Sequence, residues 1–368
     1  MRFPEFSGEW ESIKLGDVLK LKGGYAFKSE KFQDSGVPVV RISNLPQNSY
    51  SVDLSDCVYY ECGNYQNYTV KNGDLLIAMS GATTGKTAIY RYDYPAYLNQ
   101  RVGLFAPKEL VHNQFLYPIV ESKTFISQLG SKLVAGAQPN ISSQDIETIA
   151  VGLPSKEEQI KIAHLFELLN QKIETQSKII KEQEILLKSL ADKMFLQNNF
   201  SSQLSELVNI EKGKQLNADT LSETGDYYVM NGGITPSGYY SEHNVSPGSI
   251  SISEGGNSCG YVQFNEKPFW SGGHCYSLQC KTNLVDYKYI YYYLKAKQSD
   301  VMALRIGSGL PNIQKKDLEK FTIAYPSLQL QKQFVKALDA LSGKINTEKH
   351  LLEKYCQQKS YLLSQMFI

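Results

Sequence analysis

Residues 81–87, Gly81-Ala82-Thr83-Thr84-Gly85-Lys86-Thr87, put two glycines, three threonines and a lysine in one short stretch. A phosphate-binding loop needs four residues between its glycines, so that backbone N–H groups can surround the anion; here there are three. The stretch therefore reads as a glycine-rich turn between strands. Its short polar side chains and Lys86 are suited to approach a groove or a phosphate, and nucleotide hydrolysis is not expected. Asn99-Gln100-Arg101 follows a Tyr- and Pro-rich segment and leads into a strand. Asn, Gln and Arg are the side chains that pair bidentately with adenine and guanine edges. Cys57/Cys62 and Cys275/Cys280, the latter beside His274, have the look of metal pairs, but neither has a second Cys/His pair to complete a site. The five histidines suggest no nucleophilic triad, and neither an Asn-Pro-Pro-Tyr motif nor a glycine-rich cofactor fingerprint occurs. The chain is expected to carry no catalysis and no bound metal of its own.

The elements that would hold these residues come in two copies. At a constant offset of 172, Pro139-Asn140-Ile141 matches Pro311-Asn312-Ile313, and Asp145 matches Asp317. Likewise Pro154-Ser155 matches Pro326-Ser327, Gln159 matches Gln331, and Met194-Phe195 matches Met366-Phe367. Each copy runs from a β-rich part to a long helix. The expected division is 1–153, 154–196, 197–325 and 326–368. Strands are expected at 38–42, 87–92 and 100–105, and a turn followed by a strand over 70–78. The first copy is expected to close with helical spacing over 113–133 and a loop at 135–140. In the second copy 227–233 stands where 39–44 stood, 247–253 matches 72–78, and Gly273-His274 sits where Asn99-Gln100-Arg101 did. Residues 254–258 form a second small-residue loop, and 198–202 are the evident linker.

Residues 154–196 lack internal Pro and Gly and open on Ser155 with Glu158 three residues on, a capping box. Ile162, Phe166, Leu169, Ile173, Gln176, Ile180, Gln183, Leu187, Leu190 and Met194 step by four and three, the seam of a coiled coil. About 42 residues at 1.5 Å each make a rod of roughly 60 Å, which needs a partner helix. The second copy supplies it through Phe334, Leu338, Leu341, Ile345, Glu348, Leu352, Tyr355, Lys359, Leu362 and Met366. The polar seam residues are expected to set register and antiparallel pairing.

Composition bounds the rest. The 368 residues are 42% hydrophobic and 20% charged, and no apolar run approaches a membrane span or the core of a signal peptide. The scattered cysteines fit reduced thiols and a cytoplasmic location. Net charge is +1; residues 1–153 hold 14 basic against 15 acidic side chains, residues 197–325 hold 11 against 12, and only 326–368 are positive, 6 against 3. A nucleic-acid contact would need locally placed cations or a partner that supplies phosphate contacts.

Two modules, each closing in Pro-Ser and a long Gln/Leu/Lys-rich helix, resemble the specificity subunit of type I restriction-modification enzymes. Phe6-Ser7-Gly8-Glu9-Trp10-Glu11, Lys14-Leu15-Gly16-Asp17-Val18, Lys22-Gly23-Gly24-Tyr25-Ala26-Phe27, Gly73 to Lys86 and Pro154-Ser155-Lys156-Glu157-Glu158-Gln159 carry the resemblance, which covers the whole chain. It implies an α+β fold: two target recognition domains joined by two long helices in an antiparallel intrachain coiled coil. It further implies that each module reads half of a split, asymmetric DNA site of a bacterium or archaeon. Two modification (methyltransferase) subunits would dock on the helices, with restriction/translocase subunits joining; S-adenosylmethionine, ATP and magnesium would belong to those partners. Candidate DNA contacts are Lys22, Tyr25, Lys28, Arg41, Asn44, Thr83, Thr84, Lys86, Asn99, Gln100, Arg101 and Gln138 in the first module. In the second they are Lys212, Lys214, Asn231, Asn257, Tyr261, His274, Arg305 and Ser308. Two alternatives stay open: the DNA-reading half of a related type II restriction-methylation enzyme, and a coiled-coil scaffold that binds no DNA.

Overall fold

The computed structural model describes residues 2–46, 50–134, 140–196, 199–307 and 309–367. The chain divides into two compact units, Met1–Lys178 with His350–Ile368, and Ile179–Lys349. Both long helices are thus shared: each unit holds the first part of its own helix and the last part of the other.

The first unit opens with β1 (Glu11–Lys14), α1 (Leu15–Val18) and β2 (Leu19–Gly23). Strands β3 (Val37–Val40), β4 (Val58–Tyr60), β5 (Thr69–Val70), β6 (Leu75–Ala78), β7 (Thr87–Ile89), β8 (Ala96–Leu98) and β9 (Val102–Pro107) follow. Helices α2 (Leu116–Glu121), α3 (Lys123–Val134) and α4 (Ser143–Glu147) precede β10 (Ala150–Leu153). One sheet has the order β2-β9-β6-β7, a second β4-β3-β8-β5, and β10 returns to pair with β1. Every residue of β6 is buried. Strand alternation explains how: Leu75 and Ile77 face a core with Phe105, Phe115 and Ile146, whereas Leu76 and Ala78 face Val40, Leu98 and Val102. An unbroken apolar run is what a strand covered on both faces requires. The helical spacing over 113–133 is realised as two helices that meet at Ser122, whose hydroxyl accepts from the Phe125 N–H and donates to the Ile119 carbonyl.

Helix α5 spans Lys156–Met194. Beyond it come β11 (Phe200–Gln203), α6 (Leu204–Leu207), β12 (Val208–Lys212), β13 (Tyr227–Met230), β14 (Tyr239–Tyr240) and β15 (Ser249–Ser253). Next are β16 (Val262–Asn265), β17 (Trp270–Ser271), β18 (Cys275–Cys280), α7 (Tyr287–Ala296), α8 (Gln298–Ala303), α9 (Lys315–Glu319) and β19 (Thr322–Tyr325). Helix α10 spans Leu328–Met366. The sheet β12-β18-β15-β16 repeats β2-β9-β6-β7, and the parallel pair β13–β17 repeats β3–β8. Where a linker was expected, Phe200–Gln203 is a strand paired with β19. The second layer differs in chemistry. Ser251 and Ser253 occupy the places of Leu76 and Ala78; Ser251 accepts from Asn265 and Ser253 donates to the Gly232 carbonyl.

Each unit builds its own joint to the helices. In the first, Ile162, Phe166, Leu169, Met366 and Phe367 share the core with Phe115, and Trp10 stands edge-on to both Phe115 and Phe367. In the second, Ala191, Phe195, Phe334 and Leu338 enter the core with Tyr289 and Leu294. The start of one helix lies with the end of the other in each unit, so the pairing is antiparallel. Ile180 and Ile345 are buried; Ile173, Leu187, Leu190, Leu341, Leu352 and Leu362 are half-buried. The polar seam acts in places. Lys359 reaches Glu121 at 2.7 Å and lies over Tyr50 and Tyr117, and Lys172 lies over Tyr355. Burial pushes the Glu121 carboxyl up despite Lys359.

Gln159 and Gln331 explain one pair of matched residues. Both are fully buried. Gln159 accepts from the His112 N–H at 2.8 Å and donates to the Pro154 and Leu110 carbonyls; Gln331 accepts from the Asp286 N–H at 2.7 Å and donates to those of Pro326 and Leu284. Each glutamine ties the loop before a module helix to the start of a long helix. The expected capping box is only half formed. Ser155 accepts from the Glu158 N–H at 3.3 Å, but the Glu158 carboxylate takes a two-pronged contact from Arg2 at 2.7 and 2.6 Å. An arginine fork satisfies a buried carboxylate better than one backbone N–H.

Candidate nucleic-acid interface

In both modules the strand ends meet in one hydrogen-bond frame. In the first, Tyr25 donates to the Leu98 carbonyl, Asn99 to Val40, Met79 to Arg101 and Ile141 to Met79, at 2.8–3.0 Å. In the second, Lys214 donates to Ser271, Gly272 to Met230, Glu254 to His274 and Ile313 to Glu254, at 2.8–2.9 Å. Ser80 bridges Asn140, and Gly255 bridges Asn312. Asn140-Ile141 and Asn312-Ile313 therefore dock beside the glycine-rich loops. Gly24 and Gly213 sit where two strand ends cross; a Cβ on either would lie 2.2 Å from a carbonyl oxygen, Asn99 and Gly272 respectively. Only glycine permits that approach.

The frame makes residue-by-residue equivalence possible. Arg41 corresponds to Asn231, Met79 to Glu254, Arg101 to His274, Tyr25 to Lys214 and Lys86 to Tyr261. The glycine loops also correspond. Gly85 donates to Ala78 and Gly260 to Ser253, and Gly81, Gly85, Gly256 and Gly260 all have positive φ. Residues 81–85 join antiparallel strands β6 and β7. A phosphate loop must lead from a strand into a helix whose N-terminus holds the anion, so this architecture excludes that reading.

The candidate residues divide. Lys22, Gln100 and Arg101 are exposed and Asn99 half-exposed at the strand ends of the first module; the Arg101 guanidinium makes no hydrogen bond or ion pair among the described residues. Arg41 stands beside them, donating to the Asp56 carbonyl at 3.2 Å. Tyr25, 39% exposed, tops an aromatic cluster with Phe27, Tyr65 and Tyr68. Lys28 is exposed farther along the loop. In the second module Lys212, Asn231 and His274 line one cleft of about 710 Å³ with Glu254, Gly255 and Asn312. Lys214, Asn257 and Arg305 are exposed. Gln138 and Ser308 lie outside the described residues.

Five candidates are corrected by their surroundings. Asn44 is 2% exposed; its carbonyl accepts from the Arg41 N–H and its amide donates to Asp53, so it caps a turn. The Thr84 hydroxyl donates to the Gly81 carbonyl at 2.6 Å, and the Thr83 hydroxyl is buried. The Thr84 hydroxyl is thus engaged within the loop and the Thr83 hydroxyl is shielded from solvent. The Tyr261 ring lies under Lys295 at 3.9 Å, and burial holds that lysine's pKa down at about 8. Lys86 lines a cleft with Tyr50, Glu121 and Lys359 beside the helices. Sequence reasoning missed Glu254, 7% exposed at the cleft floor, because it reads as one more member of a glycine-rich loop. Its carboxylate Oε1 accepts from Lys212 at 2.6 Å.

The cysteine pairs are not paired in space as metal sites: Cys275 is buried and Cys280 exposed at opposite ends of β18, and no group of three His, Cys, Asp or Glu able to hold a metal occurs among the described residues.

Two copies of one mixed scaffold each deliver a strand-end rim and a long helix. Residues 7–184 and 198–354 match the type I restriction modification DNA specificity domain, and the chain belongs to that family. A putative type I specificity subunit of Mycoplasma pneumoniae is 34% identical over 152 residues, 41% of this chain and 40% of that protein. A type I restriction enzyme specificity subunit of Methanocaldococcus jannaschii is 30% identical over 180 residues, 47% of this chain and 42% of that one. The chain spans less than half the length of these two relatives in the matched regions. The crystal structure of the S subunit of a type I restriction-modification system from M. genitalium superimposes over 100% of this chain and 99% of that chain, with a TM-score of 0.73 at 19% identity; this likeness is one of fold.

Proposed function

We propose that the chain is the DNA sequence-specificity subunit of a type I restriction-modification complex and is not by itself an enzyme. The observation that carries this is the repeated strand-end frame with exchanged side chains: Arg41 against Asn231, Met79 against Glu254, Arg101 against His274. One scaffold is kept and the exposed chemistry is changed, as two readers of two different sequences require. Each rim lies against a major groove, where all four base pairs are distinguishable, and the two half-sites are different sequences separated by unread base pairs. Exposed apolar side chains on the helices, among them Leu168, Ile185, Leu186 and Tyr361, offer contact area for two modification subunits. Those partners bind S-adenosylmethionine and transfer the methyl group; restriction subunits, with ATP and magnesium, join them. The assembly works in the cytoplasm, and no helix among the described residues is long and apolar enough to cross a membrane.

The net charge of +1 is what favours a DNA-free scaffold instead. A gel-shift assay decides. The modification subunits with this chain should retard one bipartite duplex selectively and without it should not; equal binding in both cases would favour the scaffold.

A further inference from the structure

The second module's rim holds a side chain that a polyanion-binding surface would not be expected to keep. Glu254 lies on the floor of the cleft formed by the ends of β12, β13 and β15 and the start of β18. The scaffold does not need a carboxylate there. Met79 fills the same place in the first module with the same two backbone hydrogen bonds, to Arg101 and from Ile141. Nor is the carboxylate consumed by its neighbours. Oε1 accepts from Lys212 at 2.6 Å and from the Tyr276 hydroxyl at 3.5 Å. Oε2 accepts no hydrogen bond among the described residues; the His274 ring nitrogen stands 3.5 Å away. Lys212 offsets the charge, so the floor need not repel phosphates, and Oε2, with no hydrogen bond among the described residues, keeps acceptor capacity beside the exposed His274 ring, which pairs with it only when protonated.

On the major-groove edge only two groups donate hydrogen bonds, the N4 amine of cytosine and the N6 amine of adenine; guanine and thymine present acceptors there. Resting on the function proposed above, we infer that Glu254 is a specificity-determining residue of the second module, accepting a hydrogen bond from the exocyclic amine of a cytosine or adenine. The first module, with Met79 at that place and the exposed Arg101 beside it, makes no such demand at the equivalent position. This is a chemical reason for the half-sites to differ.

The test is selection from a randomised duplex by the full chain co-expressed with modification subunits, comparing wild type, E254Q, E254M and K212M. Wild type should enrich a single base pair at one position of the second half-site; every base pair carries one such amine, so the pair enriched tells whether cytosine or adenine donates it. E254M removes the acceptor, and E254Q adds a donor that guanine or thymine can accept. Both should lower discrimination at that position about tenfold or more and leave the first half-site unchanged, which also shows that the complex is folded. K212M should weaken binding to all sequences without changing the preference. Unchanged preference in E254M would overturn the inference, as would K212M reproducing the loss, since Glu254 would then act only through Lys212. A wild-type complex that enriches no sequence in either half would overturn the DNA-reading function itself.

Discussion

Gln159 and Gln331 show what a repeated residue can reveal. Their match across 172 residues was readable as part of a duplication; that each is a buried clamp on a loop N–H was not, because an isolated glutamine in a helix reads as solvated. Replacing Gln159 by Leu strands the His112 N–H and two carbonyls. Leaving such buried groups unpaired costs about 1–3 kcal/mol each, partly recovered by local relaxation. The substitution should lower the stability of the first unit by roughly 2–4 kcal/mol, seen in denaturant unfolding and in faster amide exchange at His112. Asn44 gives the opposite lesson. An asparagine after a strand is equally suited to reading adenine and to capping a turn, and only its burial among Arg41, Asp53 and Asp56 decides. Cysteine environments make a second prediction. Burial pushes the Cys275 thiol up to about 11 and raises that of Cys259. Alkylation at pH 8 should therefore label exposed Cys62, Cys280 and Cys356 and spare Cys259 and Cys275 in the folded chain; labelling of Cys275 before unfolding would contradict this placement.

At the scale of elements, period and spacing made the two 39-residue helices and their seams legible. Their division was not. Periodicity places a residue on a face of a helix but does not say which globular part that face serves. Met366 and Phe367 complete the core around Phe115, and Lys359 pairs with Glu121, so the far end of α10 is part of the first unit. Deleting residues 350–368 should therefore unfold the N-terminal module. Losing a buried aromatic costs about 3–5 kcal/mol, and the loss of Met366 and of the Lys359 partner of half-buried Glu121 adds to it, together a large fraction of the stability of a domain. Limited proteolysis of the truncated chain should cut within residues 1–153 and leave 200–325 protected; protection of both would show that the helix end is dispensable. The glycine loop makes the complementary point. Its composition resembled a phosphate loop, and only its position between two antiparallel strands rules the phosphate loop out.

For the whole molecule, length and duplication were enough to expect two modules and two long helices, and bulk charge was the weakest guide. A net charge of +1 conceals a local arrangement in which Lys22, Arg41 and Arg101 stand at the strand ends of the first module, and Lys214, beside the Lys212–Glu254 pair, at those of the second. The two rims share a frame and differ in side chains, so the account predicts two unlike sequences read by one chain. A substitution in one rim should change one half of the site alone; R101A should relax the first half-site at a guanine by about 1–3 kcal/mol, measured by competition binding, and leave the second untouched. The most direct measurement is single-molecule methylation sequencing of a strain whose only specificity subunit is this chain. Methylated adenines should fall in one bipartite motif of two different half-sites separated by several unspecified base pairs, and should vanish when the chain is deleted. A continuous or palindromic motif, or methylation that survives the deletion, would contradict the account.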